Sequence, residues 1–163
     1  MGFKAQTNEF TYDMLIDAPA EDVFPLLCPV REDDWVIGWK EIATLISSVS
    51  GFAEEGAVFQ TQHAGEDAQT WVITQYEPME RIAFARFGAA VVTRLRIGLT
   101  ETQGRTRARW TTNQVGTSES GNSRVGASTE SEHEASRAGL ELMLQHYLAT
   151  GEMIDAETLH QHR

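Results

Sequence analysis

Apolar and polar residues alternate with a period of two across residues 9–17, where Phe10, Tyr12, Met14 and Ile16 share one side. That pattern predicts a half-buried strand. Pro19 suits the first turn of a helix, and Glu21 and Asp22 stand where the positive end of its dipole favours acids. Val23, Phe24 and Leu27 lie on one side of this short element. Pro29 ends it, because proline disfavours helical geometry at the residue before it. A second short helix or turn over residues 31–38 carries Trp35, with Trp39 four positions further on.

From residue 41 the rhythm changes. Apolar alternating runs at 41–49, 57–62, 69–76, 81–87, 90–100 and 105–113 are separated by turn residues such as Gly51, Gly65, Pro78, Gly88 and Gly104. Loops this short join antiparallel neighbours, so the six runs predict a meander. Residues 115–128, dominated by Ser, Gly, Asn and Thr, read as a flexible connection. Thr129 and Glu132 have capping-box spacing, and Gly151 is a credible helix stop. Between them Leu140, Met143, Leu144, Tyr147 and Leu148 form an apolar stripe on a helix about 30 Å long. Leu142 falls on the opposite side, which leaves room for a second contact such as a homodimer. Residues 154–163 read as a tail.

The order strand, two short helices, six strands, long helix predicts one α+β domain over residues 1–163. Its architecture is a helix grip: a curved seven-stranded antiparallel sheet closed over a long C-terminal helix. A sheet bent around one helix encloses more volume than side chains readily fill, which makes a natural ligand cavity.

Bulk properties narrow the partners. The 163 residues are 41% hydrophobic and 23% charged, as expected of a folded domain, and the net charge of −11 disfavours phosphate backbones. Arg94, Arg96, Arg105, Arg107 and Arg109 are spaced by two within their runs, as on the outer face of paired strands. They read as a solvated face balanced by acids, not as a nucleic-acid surface. No apolar run reaches the roughly 18 residues of a membrane helix, and the N-terminal stretch lacks the apolar core of a secretory signal. With the lone Cys28, which suits reducing conditions, this points to a cytoplasmic protein. Neither a GxGxxG loop nor CxxC or HExxH occurs, so neither cofactor nor metal is expected; His160 and His162 read as tail residues.

Local residues add a resemblance. The stretch from Ile16 through Asp17, Ala18, Pro19, Ala20, Glu21, Asp22 and Val23 to Phe24 is similar to the entry into the first helix of the START-related polyketide cyclase (SRPBCC) superfamily, the birch-pollen-allergen-like proteins. Cys28-Pro29-Val30-Arg31-Glu32, followed by Trp35 and Trp39, and the ending His146-Tyr147-Leu148-Ala149-Thr150-Gly151 resemble one bacterial branch of it. The resemblance implies the same helix-grip fold. It also implies binding of lipids, hormones or aromatic natural products, with cyclisation or dehydration in some members and no shared catalytic motif.

Several residues could serve such a pocket. Trp35 and Trp39 could stack on a flat ligand at the cavity mouth or plug the barrel end as core. Parity with Thr106, Ala108 and Thr112, opposite the arginines, places Trp110 inside, whereas both faces of the Trp71 strand carry apolar groups and leave it open. Glu32, buried near the mouth, would have a raised pKa and could act as a general acid or base; it could equally bond a helix end or an arginine. His133 shares the helix stripe and could shuttle protons or lie exposed in the first turn. His63 sits at a strand end before a turn. Tyr147 brings a ring that packs and a hydroxyl that needs a partner. Arg86 shares a strand face with Ile82 and Phe84; pointing inward it would need an anion, either Glu32 or an acidic ligand group. Leu140, Met143 and Leu144 would complete the helix side.

Three functions remain open on this basis. The first is binding of a small hydrophobic or aromatic molecule, lipid or polyketide-like. The second is a cyclase, aromatase or dehydratase, which needs an acid/base pair facing the pocket, with Glu32, His133, Tyr147 and Arg86 as candidates. The third is a non-catalytic interaction domain, which would have a filled interior.

Overall fold

The computed structural model describes residues 2–162. Strand β1 (Thr7–Ile16) leads into α1 (Ala20–Val23), which runs on as a 3-10 turn, Phe24–Leu27. A second 3-10 turn, Arg31–Asp34, and a single helical turn, α2 (Trp39–Ile42), precede the meander. Its strands are β2 (Ala43–Ser47), β3 (Val58–Thr61), β4 (Gln69–Glu77), β5 (Arg81–Phe87), β6 (Val91–Thr102) and β7 (Arg105–Gly116). Three helices follow: α3 (Glu119–Ala127), α4 (Glu130–Thr150) and α5 (Ala156–Gln161).

All strand pairs are antiparallel, and the sheet order is β1-β7-β6-β5-β4-β3-β2. The first strand thus closes against the last. The expected alternation decides which residues face in. Met14, Ile16, Ile73, Ile82, Leu95, Ile97, Ala108 and Trp110 are buried on the inner face beneath α4, which contributes Met143 and Leu144 to the same core. Arg105 and Arg109 stand on the outer face and pair with Asp17 at 2.6 Å and Asp13 at 2.8 Å. The solvated arginine face read from the spacing is therefore present.

Edge strand β1 offers unpaired backbone groups to anything that can add a strand. Helix α4 covers them: Leu15 N–H donates to Glu141 (2.9 Å), and the Gln145 amide donates to the Leu15 carbonyl (2.7 Å). The helix starts where Thr129 accepts the Glu132 N–H (3.2 Å) and stops at Gly151, whose φ of 76° suits glycine.

Residues 115–128 correct an expectation. They form the end of β7 and a nine-residue helix, not an irregular connection. The small residues that suggested a loop are what permit close packing. A side chain at Gly121 would put its Cβ 1.8 Å from the Ala90 carbonyl oxygen, and one at Gly116 would meet the Asn122 side chain at 2.4 Å. Asn122 then binds the chain start, accepting from Gln6 N–H (2.7 Å) and donating to the Lys4 carbonyl (3.0 Å). The presumed tail also departs from expectation. Asp155 caps α5 by accepting the Thr158 N–H (2.7 Å), and Ile154 and Leu159 are buried in the main core. Leu142, expected to face away, packs partly against that core as well.

Candidate functional site

Between the sheet and α4 lies a cavity of about 930 Å³, within the range of small-molecule sites. Its floor follows from strand register. Phe59 pairs with Trp71, Trp71 with Arg86, and Arg86 with Thr93, so these four side chains form one row across the inner face. The Phe59 and Trp71 rings stack at 5.2 Å, Phe84 meets both edge-on at 6.1 Å, and Trp39 tilts over Phe59 at 6.5 Å. The resulting aromatic wall is held by its polar tips. Trp71 Nε1–H donates to Thr61 (2.9 Å) and Trp39 Nε1–H to the Pro29 carbonyl (2.7 Å). Leu95, Ile97, Leu140 and Met143 extend the apolar lining.

Charged groups interrupt this wall in three places. Arg86 lies over the Trp71 ring at 4.9 Å and donates to Thr93 Oγ1 (3.2 Å). Arg137, from α4, lies over the Trp110 ring at 4.9 Å and donates to Thr112 Oγ1 (3.2 Å). Neither guanidinium lies within ion-pair distance of a carboxylate among the described residues. Burial lowers the pKa of both; for Arg137, to about 10, the charge of Arg86 adds to the drop while Glu32 opposes it. Both stay charged at neutral pH. Arg137 Nε itself and the neighbouring Trp110 Nε1 are N–H donors buried without an acceptor.

Glu32 is the third. It lines the cavity and is half-buried. Burial pushes its carboxyl up to about 8, Asp33 adds to the rise, and the Arg137 charge pulls the other way without prevailing. The carboxyl is therefore mostly protonated at pH 7. His63 and Glu66 line the mouth.

The residues expected at the site divide. Trp39, Arg86, Trp110, Leu140, Met143 and Glu32 are on the cavity wall. Trp35 is fully buried in the core, its Nε1–H donating to the Leu26 carbonyl (2.8 Å), so it plugs the barrel end and is not free to stack on a ligand. Leu144 is fully buried in the core and Tyr147 packs against that core, both off the cavity wall. His133 also stands off the wall. It stacks on Phe10 at 5.0 Å and meets Thr112 Oγ1 at 3.1 Å. Burial, then the charges of Arg137 and Arg86, bring its pKa down to about 4, too low for a proton shuttle near neutrality. Arg137 was not anticipated. Its signal was the helical period, since it lies four residues after His133 and three before Leu140, in line with the stripe.

Among the described residues no group of acidic, His or Cys side chains could hold a metal ion, and no helix is long and apolar enough to cross a membrane.

Solved structures place the fold. Norcoclaurine synthase from Thalictrum flavum superposes with a TM-score of 0.66 at 12% identity, over 90% of this chain and 88% of that one. The Aha1 dimer of Colwellia psychrerythraea gives 0.62 at 15%, over 88% and 98%. DynU16, from the dynemicin biosynthetic locus, gives 0.60 at 18% over 88% of this chain, which spans only 48% of DynU16. The fold is thus the helix grip that the order of elements predicts. No protein-family model matches the chain, and no curated protein matches its sequence significantly.

Proposed function

We propose that this chain binds a small hydrophobic or aromatic molecule, lipid or polyketide-like, in the cavity between sheet and α4. One observation carries the reading: a cavity of about 930 Å³, partly open to solvent, walled by the connected rings of Trp39, Phe59, Trp71 and Phe84. Stacked rings offer faces and edges to a flat guest, and desolvating them is favourable. An interaction domain with a filled interior does not fit such a space.

Three tryptophans on the wall make binding visible. A panel of aromatic and lipid-like compounds should contain members that change tryptophan emission and raise the melting temperature. At 100 times its Kd a ligand adds about 2.7 kcal/mol of stability. Indifference across the panel by both readouts would remove this proposal.

A second reading, an enzyme of the cyclase, aromatase or dehydratase type, is favoured by Glu32 alone. A carboxyl with a pKa of about 8 in an apolar cavity can give or take a proton near neutrality. Arginines cannot share that work. If a substrate is found, Glu32→Gln separates the readings: turnover disappears in an enzyme while binding persists.

A further inference from the structure

We propose that the ligand is an amphipathic acid, with one carboxylate seated between Arg86 and Arg137 and a flat apolar body on the rings of Phe59, Trp71 and Phe84. This rests on the binding reading above and names the chemical class that the cavity selects.

The charge balance of the cavity is the starting point. Arg86 comes from β5 and Arg137 from α4, so sheet and helix each place a guanidinium on the cavity wall. Each makes one side-chain hydrogen bond, to Thr93 and Thr112 respectively, although a guanidinium carries five N–H donors. Their aromatic contacts use ring faces and satisfy no donor in its plane. Buried cations in proteins are paired or hydrogen-bonded, and these are underserved on both counts.

No internal group closes the deficit. Glu32 is the one carboxyl that shares the interior of the wall with them, and it lies beyond ion-pair distance of both. Protonated, it leaves two positive charges unmatched; ionised, it would still leave one. Glu66 is exposed, and His133, beside Thr112, is kept neutral by burial first and then by the charges of Arg137 and Arg86. The positive spot is also local, because the chain as a whole carries −11. Beyond about 8 Å that outer charge is screened at physiological salt, so selection occurs at the wall and not by long-range steering.

A carboxylate answers this arrangement. Its two oxygens accept in-plane N–H donors from guanidinium groups, and a single negative charge halves the positive charge of the cavity while Glu32 stays protonated. Row geometry places the rest of the molecule. Arg86 pairs across strands with Trp71, and Trp71 with Phe59, so a body extending from the acid along that row lies on aromatic surface.

The test is titration of the intact protein, by calorimetry and tryptophan emission, with ligands sharing one ring system: 2-naphthoate, 2-naphthamide, 2-naphthylmethylamine and 2-naphthyl phosphate, plus benzoate and inorganic phosphate. We expect 2-naphthoate to bind at least 10-fold tighter than 2-naphthamide and inorganic phosphate not to displace it. Arg86→Gln and Arg137→Gln should each erase most of that preference while leaving 2-naphthamide affinity within about twofold, and Arg137→Lys should recover part of it. Retained 2-naphthamide binding in the variants also certifies their fold. Equal or tighter binding of the amide or amine by the parent protein overturns the acid while leaving hydrophobic binding standing. A clear preference for the naphthyl phosphate overturns the carboxylate in favour of a phosphate head. Absence of binding by every member of the series removes both the acid and the reading beneath it.

Discussion

Arginines occur on both sides of this sheet, and their surroundings differ completely. On the outer face Arg109 grips both oxygens of Asp13 at 2.8 and 2.9 Å, Arg105 meets Asp17 at 2.6 Å, and Arg94 donates to Asn113 at 2.8 Å. These groups are mostly exposed, so water would serve them if the partners were removed. Inside, Arg86 and Arg137 have a threonine hydroxyl and an aromatic face each, and no carboxylate within reach. Pairing is abundant where it contributes little and missing where its absence costs most. A protein selected for stability alone would invert that distribution.

The carboxylates on the two sides should respond to pH with opposite signs, and the inner one gives the largest effect. The Glu32 carboxyl is raised from an ordinary 4.5 to about 8. The folded state therefore holds a proton that the unfolded state releases, and stability falls as pH rises from about 4.5 to 8, remaining flat beyond. The cavity admits some water, so the loss should be about 2–4 kcal/mol. Arg137 from α4 and the neighbouring Asp33 act on its pKa, and His63 and Glu66 line the same cavity. Urea unfolding at a series of pH values, with Glu32→Gln as reference, isolates the term. A variant whose slope between pH 5 and 8 matches that of the parent would mean that Glu32 is already ionised in the fold.

The outer arrangement was legible in the sequence and much of the inner one was not, for physical reasons. Period-two spacing alone identifies Arg94, Arg96, Arg105, Arg107 and Arg109 as one face, and the same parity puts Trp110 on the other. Trp71 resists that logic. A bulge between Ile73 and Gln75 shifts the register of β4, and apolar groups on both faces mask the parity. Arg137 is not legible in the sequence because a charged helix residue reads as solvent-facing; only a cavity makes an inward cation tolerable. Helix α3 was hidden by composition, since Gly116 and Gly121 look like loop residues until the backbones they allow to touch are seen. Trp35 and Trp39 illustrate the limit of spacing. Four residues apart, one fills the core and the other lines the cavity, because the 3-10 turn ends before Trp35 and a left-handed Gly38 intervenes.

Removal of an inner cation should stabilise the ligand-free protein. Arg137→Met keeps the length and apolar stem of the side chain, deletes a charge that has no counter-ion, and frees Trp110 from its cover. The expected gain is about 1–3 kcal/mol in urea unfolding, offset in part by the lost bond to Thr112. Arg86→Met should behave alike with a smaller gain, since its Thr93 partner is on a neighbouring strand of the same sheet. A destabilised Arg137→Met would show that the hydroxyl bond and the ring contact outweigh desolvation, and the argument that the site is held ready at a cost would fail.

The smallest effect belongs to the outer pair. Arg109 beside Asp13, by direct hydrogen bonding first and by its charge as well, holds the Asp13 carboxyl below its ordinary 3.8. Its contribution is present above that value and disappears as pH falls, the reverse of Glu32. Asp13→Asn should lose only about 0.2–1 kcal/mol at neutral pH, because two exposed side chains give up rotamer freedom to meet in water. The loss should shrink further in 1 M salt, where charges are screened within about 3 Å. Unfolding curves at low and high salt measure it. A loss of several kcal/mol that persists in salt would make the outer face a structural network, and the contrast between paired arginines that matter little and unpaired ones that matter more would no longer hold.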